Sequence, residues 1–259
     1  MKSFQILCAT MYQKDFSLIK KMKITSDVLF ANQCDKTDYR AIKHGNNNVE
    51  MISTCLRGSG NNRNISLMYA TADICLLADD DVIYYPDYKD KILYAFERNP
   101  KADMIIFNLE TDSTIRTLPK IKNNRKMHFW NRNPYGSVRV AFRLKSQRKY
   151  NIWFSNILGA GALYGSGEDS LFINDFRKKG NVYLCKDVLG KVDFSQSSWF
   201  NGYDEKFFFN HGAKIAALYD KYAYVFIIYY AFRYFTMSNV KLLNMIRLMK
   251  KGYYDYKNI

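Results

Sequence analysis

Three carboxylates stand side by side at Asp79, Asp80 and Asp81. Such neighbours repel one another, so a fold tolerates them best in water or around a cation. Magnesium and manganese ions take oxygen ligands and often bridge one or two carboxylates to substrate phosphates. A metal held there neutralises charge growing on a departing diphosphate. An acidic triplet by itself is more often a solvated loop. This one directly follows the strand-like run 73–78, and that placement favours a site.

A second acidic feature is Gly167-Glu168-Asp169, which opens a helical pattern behind the glycine-rich stretch 159–167. Glycines let backbone approach a ligand closely, and a carboxylate there could take a proton from an attacking hydroxyl. Plain capping of the helix explains the same residues. The third feature is the basic turn Arg57-Gly58-Ser59-Gly60-Asn61-Asn62-Arg63-Asn64. A glycine-bearing turn into a helix suits anions, although an ordinary turn reads the same way.

The elements that must position these residues alternate. Residues 4–9, 28–31, 49–54, 73–78 and 104–107 read as strands, and 15–23 and 61–71 as helices. Another helix opens at Pro86, with Tyr88, Ile92, Leu93 and Phe96 on its apolar side. Alternating strands and helices imply crossover units and a mostly parallel sheet. Ligands of such sheets bind beyond the carboxyl ends of the strands, where the triplet lies. Residues 112–135 are polar and basic and read as a long mobile loop interrupted by Phe129 and Trp130. Val138, Val140, Phe142 and Leu144 then alternate with Arg139, Ala141 and Arg143, the pattern of a half-exposed strand. A helix follows from 168 to about 179, with Leu171, Phe172 and Phe176 inward. From Gly212 onward the chain reads as helical, aromatic and basic.

The chain has 259 residues, enough for one large domain with a modest appendage. A net charge of +15 fits nucleic acid, an anionic membrane surface or a phosphate-bearing substrate. Zinc spacing, RNP motifs and recognition-helix patterns are all missing, so nucleic acid is not the expected partner. The five cysteines are scattered without a CxxC pair and read as reduced thiols of a cytosolic protein. The chain enters a strand pattern without a signal peptide, so a cytoplasmic location is expected. Residues 222–232, the longest uncharged stretch near the C-terminus, fall short of the roughly 20 that span a bilayer. From Gly212 onward, lysine and arginine among tyrosine and phenylalanine suit helices that pack on the domain and also touch the inner membrane face.

Taken in order, the three features resemble the GT-A glycosyltransferases of family two. Arg57-Gly58 and Arg63-Asn64 match that family's basic turn, Asp79-Asp80-Asp81 its aspartate motif, and Glu168-Asp169 its acid pair. Trp199-Phe200-Asn201-Gly202-Tyr203, Lys206-Phe207-Phe208-Phe209 and the aromatic stretch 222–234 are similar to bacterial capsular, O-antigen and lipooligosaccharide transferases. The resemblance implies a GT-A fold: a Rossmann-like α/β domain with a mixed, mostly parallel sheet flanked by helices and a C-terminal helical appendage. It implies a catalytic domain at 1–211, with a donor half at about 1–110 and an acceptor half at about 111–211, and helices at 212–259.

The resemblance also implies roles. A nucleotide-sugar donor, a UDP-sugar as the first expectation, would lose its sugar to a hydroxyl of a glycan or lipid-linked acceptor, with inversion. Asp81 would be the direct ligand of Mn2+ or Mg2+, with Asp79 nearer the ribose and able to share the metal. Asp80, Arg57 and Arg63 would stand near the donor, and Thr10 and Tyr12 would flank the base. Asp169 would be the catalytic base and Glu168 would orient the acceptor. Many relatives carry an aspartate after the second strand; here Asn32 or Gln33 would take its place, and Asp35 is displaced. His211 is read either as a third metal ligand or as a surface histidine. Two other readings of the chain are a basic nucleic-acid-binding protein and a metal-dependent phosphoryl-transfer enzyme.

Overall fold

The computed structural model describes residues 2–113, 117–128, 134–193 and 202–259. Among these residues one sheet runs β3-β4-β2-β1-β5-β9-β7-β10-β6, with β8 added against β10. Its centre is β1 (Phe4–Met11), paired in parallel with β2 (Asp27–Gln33) and β5 (Ile74–Asp79). β4 (Asn47–Thr54) continues the parallel half, and β3 (Asp38–His44) turns back on it as an antiparallel edge. On the other side β9 (Val140–Arg143) runs antiparallel to both β5 and β7 (Met104–Glu110). β10 (Val182–Val192) is parallel to β7 and antiparallel to the short β6 (Val82–Tyr84) and β8 (Arg125–Lys126).

The central strands are apolar on both faces, as a covered parallel sheet requires. Ile6, Val28, Phe30, Ile74 and Leu76 pack toward α1 (Leu18–Lys21) and α3 (Tyr88–Arg98). Leu7, Leu29, Cys75 and Leu77 point the other way, toward α2 (Ser59–Tyr69), α4 (Leu144–Tyr150) and α5 (Glu168–Lys179). Each crossover delivers the next functional residue to the same sheet end: Thr10 from β1, Asn32 from β2, Asp79 from β5.

The C-terminal helices α6 (Glu205–Tyr219), α7 (Ala223–Tyr234) and α8 (Leu242–Lys257) share their own core of Phe208, Ile215, Ile227, Met245 and Met249. α6 and α8 cross backbone to backbone. A Cβ on Gly212 would lie 2.0 Å from the Met249 carbonyl oxygen, so no larger residue fits there. A smaller cluster of Leu158, Tyr164 and Ala213 seats these helices on the α/β domain, and the Tyr164 hydroxyl donates to Asp255 at 2.7 Å. The division drawn at 211/212 falls inside α6, which Asp204 caps by accepting from the Phe207 amide at 2.7 Å.

Several expectations are corrected. Residues 137–144 are not a half-exposed strand but a 3-10 turn, β9 and the start of α4, and all of them except Val138 are buried. The arginines there are buried because carbonyls hold them. Arg139 donates to Phe107 O, Pro119 O and Asn108 Oδ1, each at 2.8 Å, and Arg143 donates to Ala102 O at 2.7 Å. The helix expected over 15–23 is only α1, because Lys23 adopts φ of 55° and ends it. Within 112–135 the described residues are not a loose loop. Ile121 and Met127 are buried, β8 pairs with β10, and Ile121 exchanges hydrogen bonds with the Asn108 amide. Phe129, Trp130 and residues 199–201 lie outside the described residues.

Candidate active site

The candidate site lies where β1 and β5 end, against the first turns of α2 and α5. Arg63 sits at its centre. It comes from the second turn of α2, is 7% exposed, and reaches three acidic residues from two different elements. Its Nη2 donates to Asp79 Oδ1 at 2.9 Å and Oδ2 at 3.2 Å. Its Nη1 donates to Glu168 Oε1 at 3.3 Å and lies 3.5 Å from Asp169 Oδ1. The guanidinium also lies over the Phe154 ring, 5.5 Å from its centroid. Burial alone disfavours the Arg63 charge, but Asp79, Asp169 and Glu168 outweigh it and raise its pKa.

Glu168 is held a second time, by the Ser59 hydroxyl at 2.8 Å. That bond needs the glycine opposite: a Cβ on Gly159, whose φ is +118°, would meet Ser59 Oγ at 2.4 Å and Glu168 Cδ at 2.7 Å. The turn of α2 and the glycine-rich stretch are thus one interface, closed by the Ser59 amide donating to Ala160 O at 2.9 Å. Burial and the neighbouring Asp169 raise the Glu168 pKa, against the pull of Arg63. Asp169 Oδ1 is buried with no hydrogen bond, and its other oxygen faces Gly136.

The triplet divides. Asp79 is tied to Arg63; burial raises its pKa and Arg63 opposes the rise. Asp80 accepts a hydrogen bond from the buried Thr10 hydroxyl. Asp81 Oδ1 is buried without a partner, and burial, with Asp79 and Asp80 beside it, pushes its carboxyl up to about 7. An orphaned carboxylate oxygen next to two more carboxylates fits a divalent cation, which would supply the missing partner and relieve the repulsion. Among the described residues no three His, Cys, Asp or Glu side chains converge into a preformed metal cage. A site completed by substrate phosphates and water suits magnesium and manganese better than a full protein cage does.

The remaining residues singled out in the sequence fall around this centre. Tyr12 follows Met11 with φ of 54°, is exposed, and carries the Arg57 guanidinium 5.7 Å from its ring centroid. Arg57 also pairs with Asp35. Gln33 Oε1 accepts from the Gly58 amide at 2.9 Å. Asn32 is fully buried, and its amide is spent: it donates to Ser53 Oγ at 3.0 Å and Gln13 O at 3.1 Å, and accepts from Gln13 N at 2.9 Å. Its observed bonds hold the loop after β1 in place.

His211 is not on the surface. It is stacked on Phe207 at 5.4 Å and edge-on to Tyr230 and Tyr234, inside the helical appendage. Burial, with Lys214 and Arg233 nearby, pushes its pKa down to about 3. Its ring contacts are aromatic rather than acidic.

Lys214, one turn further along α6, had no signal in the sequence. Its stem lies against Gly167, where a Cβ would stand 3.2 Å from Lys214 Cγ. Burial lowers its pKa while Glu168 and Asp169 oppose that shift, so its charge acts on the acid pair. Ser59 as a partner of Glu168, and Phe154 as the ring beside Arg63, were equally unmarked.

Residues 32–157 match the sequence model described as Glycosyl transferase family 2. Over that segment the chain is similar to a family 2 glycosyltransferase domain. The matched segment contains the α2 turn and the triplet and ends before Glu168 and Asp169. A comparison with curated proteins finds no match. Among solved structures, this glycosyltransferase is similar to S. aureus TarS 1-349. The TM-score is 0.63 at 14% identity, over 96% of this chain and 81% of that one. To TarS 1-349 in complex with UDP-GlcNAc the TM-score is 0.65 at 15% identity, over 98% and 80%. To the mannosyltransferase PcManGT from Pyrobaculum calidifontis, in complex with GDP-Man and Mn2+, it is 0.50 at 10% identity, over 97% and 72%. The fold is GT-A.

Proposed function

We propose that this glycosyltransferase moves a sugar from a nucleotide-diphosphate donor, a UDP-sugar first, to a hydroxyl of a glycan or lipid-linked acceptor. The observation that carries this reading is Arg63: one buried guanidinium joins Asp79 of the triplet to Glu168 and Asp169 of the acid pair. A donor-side and an acceptor-side carboxylate are thereby held at one point, as a single displacement requires.

In this reading Asp81, with Asp79 beside it, would hold Mn2+ or Mg2+, which would supply charge stabilisation for the leaving diphosphate. Thr10 fixes Asp80 so that the triplet keeps its shape. Tyr12 and Arg57 form the outer wall for the nucleotide. Asp169, whose Oδ1 lies 3.5 Å from Arg63 Nη1, accepts the proton of the acceptor hydroxyl. That oxygen forms a bond to the anomeric carbon as the bond to the diphosphate breaks, and the nucleotide leaves with the electron pair. The configuration at that carbon inverts. Glu168, anchored by Ser59 and Arg63, orients the acceptor.

Replacing Asp169 with Asn tests the assignment. The variant keeps nucleotide binding, and transfer falls by roughly 10²–10⁴, the range for loss of a positioned base. Transfer at the parent rate from the Asp169→Asn protein contradicts the reading.

A further inference from the structure

Helix α7 has two apolar sides. Ala223, Ile227 and Ala231 are buried against the core that α7 shares with α6 and α8. On the opposite side Val225, Ile228, Tyr229 and Phe232 recur at i, i+3, i+4 and i+7. That side is open: Val225 is 66% exposed and Phe232 63%. Tyr222 before the helix and Phe235 after it extend the stripe.

Cations rim it. Lys221 and Arg233 stand at its two ends, and Arg233 donates to the Tyr229 hydroxyl at 3.4 Å. From α8, the Lys250 ammonium lies 5.5 Å from the Tyr224 ring centroid. Residues 221–259 contain seven lysines and arginines and one acidic residue, Asp255. Asp255 is already engaged by Tyr164.

A contiguous exposed apolar patch with a polar rim marks an interaction surface. Its charge selects the partner. Two copies of this face would bring like-charged rims together, which disfavours a homodimer. An anionic bilayer offers both complements at once, an apolar boundary under the headgroups and negative phosphates above it. Tyrosine rings suit that depth, with one end apolar and one end wet. α7 has 12 residues, and among the described residues no helix is long and apolar enough to cross a membrane. The helix would therefore lie in the plane of the interface.

We propose that the outer face of α7 docks the protein on an anionic bilayer surface. Val225, Ile228, Tyr229 and Phe232 enter the acyl boundary, and Lys221, Arg233 and Lys250 meet the headgroup phosphates. This holds whatever reaction the α/β domain performs.

The test is co-sedimentation of the full chain with vesicles of phosphatidylcholine alone and of phosphatidylcholine mixed with phosphatidylglycerol. The parent protein binds the mixed vesicles, and added salt weakens binding. The variant Val225→Ser/Phe232→Ser alters only exposed side chains, so its far-UV spectrum and thermal midpoint match the parent. It binds the mixed vesicles at least about tenfold more weakly, a difference of ~1.4 kcal/mol. The charge variant Lys221→Glu/Arg233→Glu loses the preference for phosphatidylglycerol. Failure of the parent to bind either vesicle, or equal binding by parent and serine variant, overturns the proposal. So does a concentration-dependent dimer that the serine variant abolishes, which would give the face to a second copy.

Discussion

Replacing Arg63 with Met should expose how much of the site depends on one side chain. Arg63 is buried, and every ion pair to Asp79, Glu168 and Asp169 among the described residues comes from it. Methionine fills most of the volume and can still touch Phe154, so the loss is electrostatic rather than a cavity. Buried Glu168 would then keep only Lys214 as a counter-charge, and half-buried Asp79 would lose its ion pair. Breaking a buried pair from one side costs about 3–5 kcal/mol. For a domain of this size that is a fall in thermal midpoint of roughly 6–20 °C, at about 2–4 °C per kcal/mol. Guanidinium unfolding followed by far-UV circular dichroism measures the free energy, and a thermal melt measures the midpoint. The charge origin is separable by a second change. Glu168→Gln in the Arg63→Met background removes one orphaned charge, so the double variant should be more stable than the two single losses summed, by roughly 0.5–3 kcal/mol. An Arg63→Met protein within about 1 kcal/mol of the parent, or strictly additive losses, would show that Arg63 does not clamp these acids.

Further outcomes follow from the same geometry. Gly159→Ala places a methyl group 2.4 Å from Ser59 Oγ at a φ of +118°, and strain of this kind costs of order 1–3 kcal/mol; unchanged stability and transfer would mean that the Ser59–Glu168 contact is slack. His211 has its pKa lowered to about 3 from 6.5, so the unfolded chain takes up a proton below 6.5 while the folded one stays neutral. Stability is therefore lost as pH falls through that window, by at most about 1.4 kcal/mol per unit. His211→Phe, an apolar ring in an aromatic cage, should flatten the slope, leaving the variant ahead by roughly 2–3 kcal/mol near pH 4.5; parallel stability–pH curves would refute the assignment.

The parallel half of the fold was legible because its strands are apolar on both faces and alternate with amphipathic segments. β1, β2, β4, β5 and β7 fall where the apolar runs placed them, and α2, α3 and α5 where the helical spacing did. The edge strand β3 was not legible: Tyr39, Arg40 and Ile42 are partly or well exposed, so no burial pattern marks it. β9 and α4 were misread because arginine in a sequence reads as exposure. Here backbone carbonyls satisfy Arg139 and Arg143 inside the core, a tertiary fact that spacing does not carry. β10 escaped notice for a related reason: irregular register at Val188 and Lys191 breaks its alternation.

In the site, the acidic triplet, the acid pair and the basic turn could each be read as short sequence features. That Arg63 binds the first two together could not, since its partners lie 16 and 105 residues away. Lys214 was hidden among the basic residues of the aromatic C-terminal helices, and only the packing of α6 on Gly167 brings it to the acid pair.

The most direct measurement is thermal stabilisation of the protein by UDP, GDP, dTDP and CMP, with and without Mn2+, repeated on Asp81→Ala. Binding to the folded state alone raises stability by about 2.7 kcal/mol at a hundredfold excess over Kd. One nucleotide should stabilise the parent only when metal is present, and Asp81→Ala should lose that response. If no nucleotide stabilises the parent under any metal condition, the donor site is not where Asp79, Asp80 and Asp81 stand.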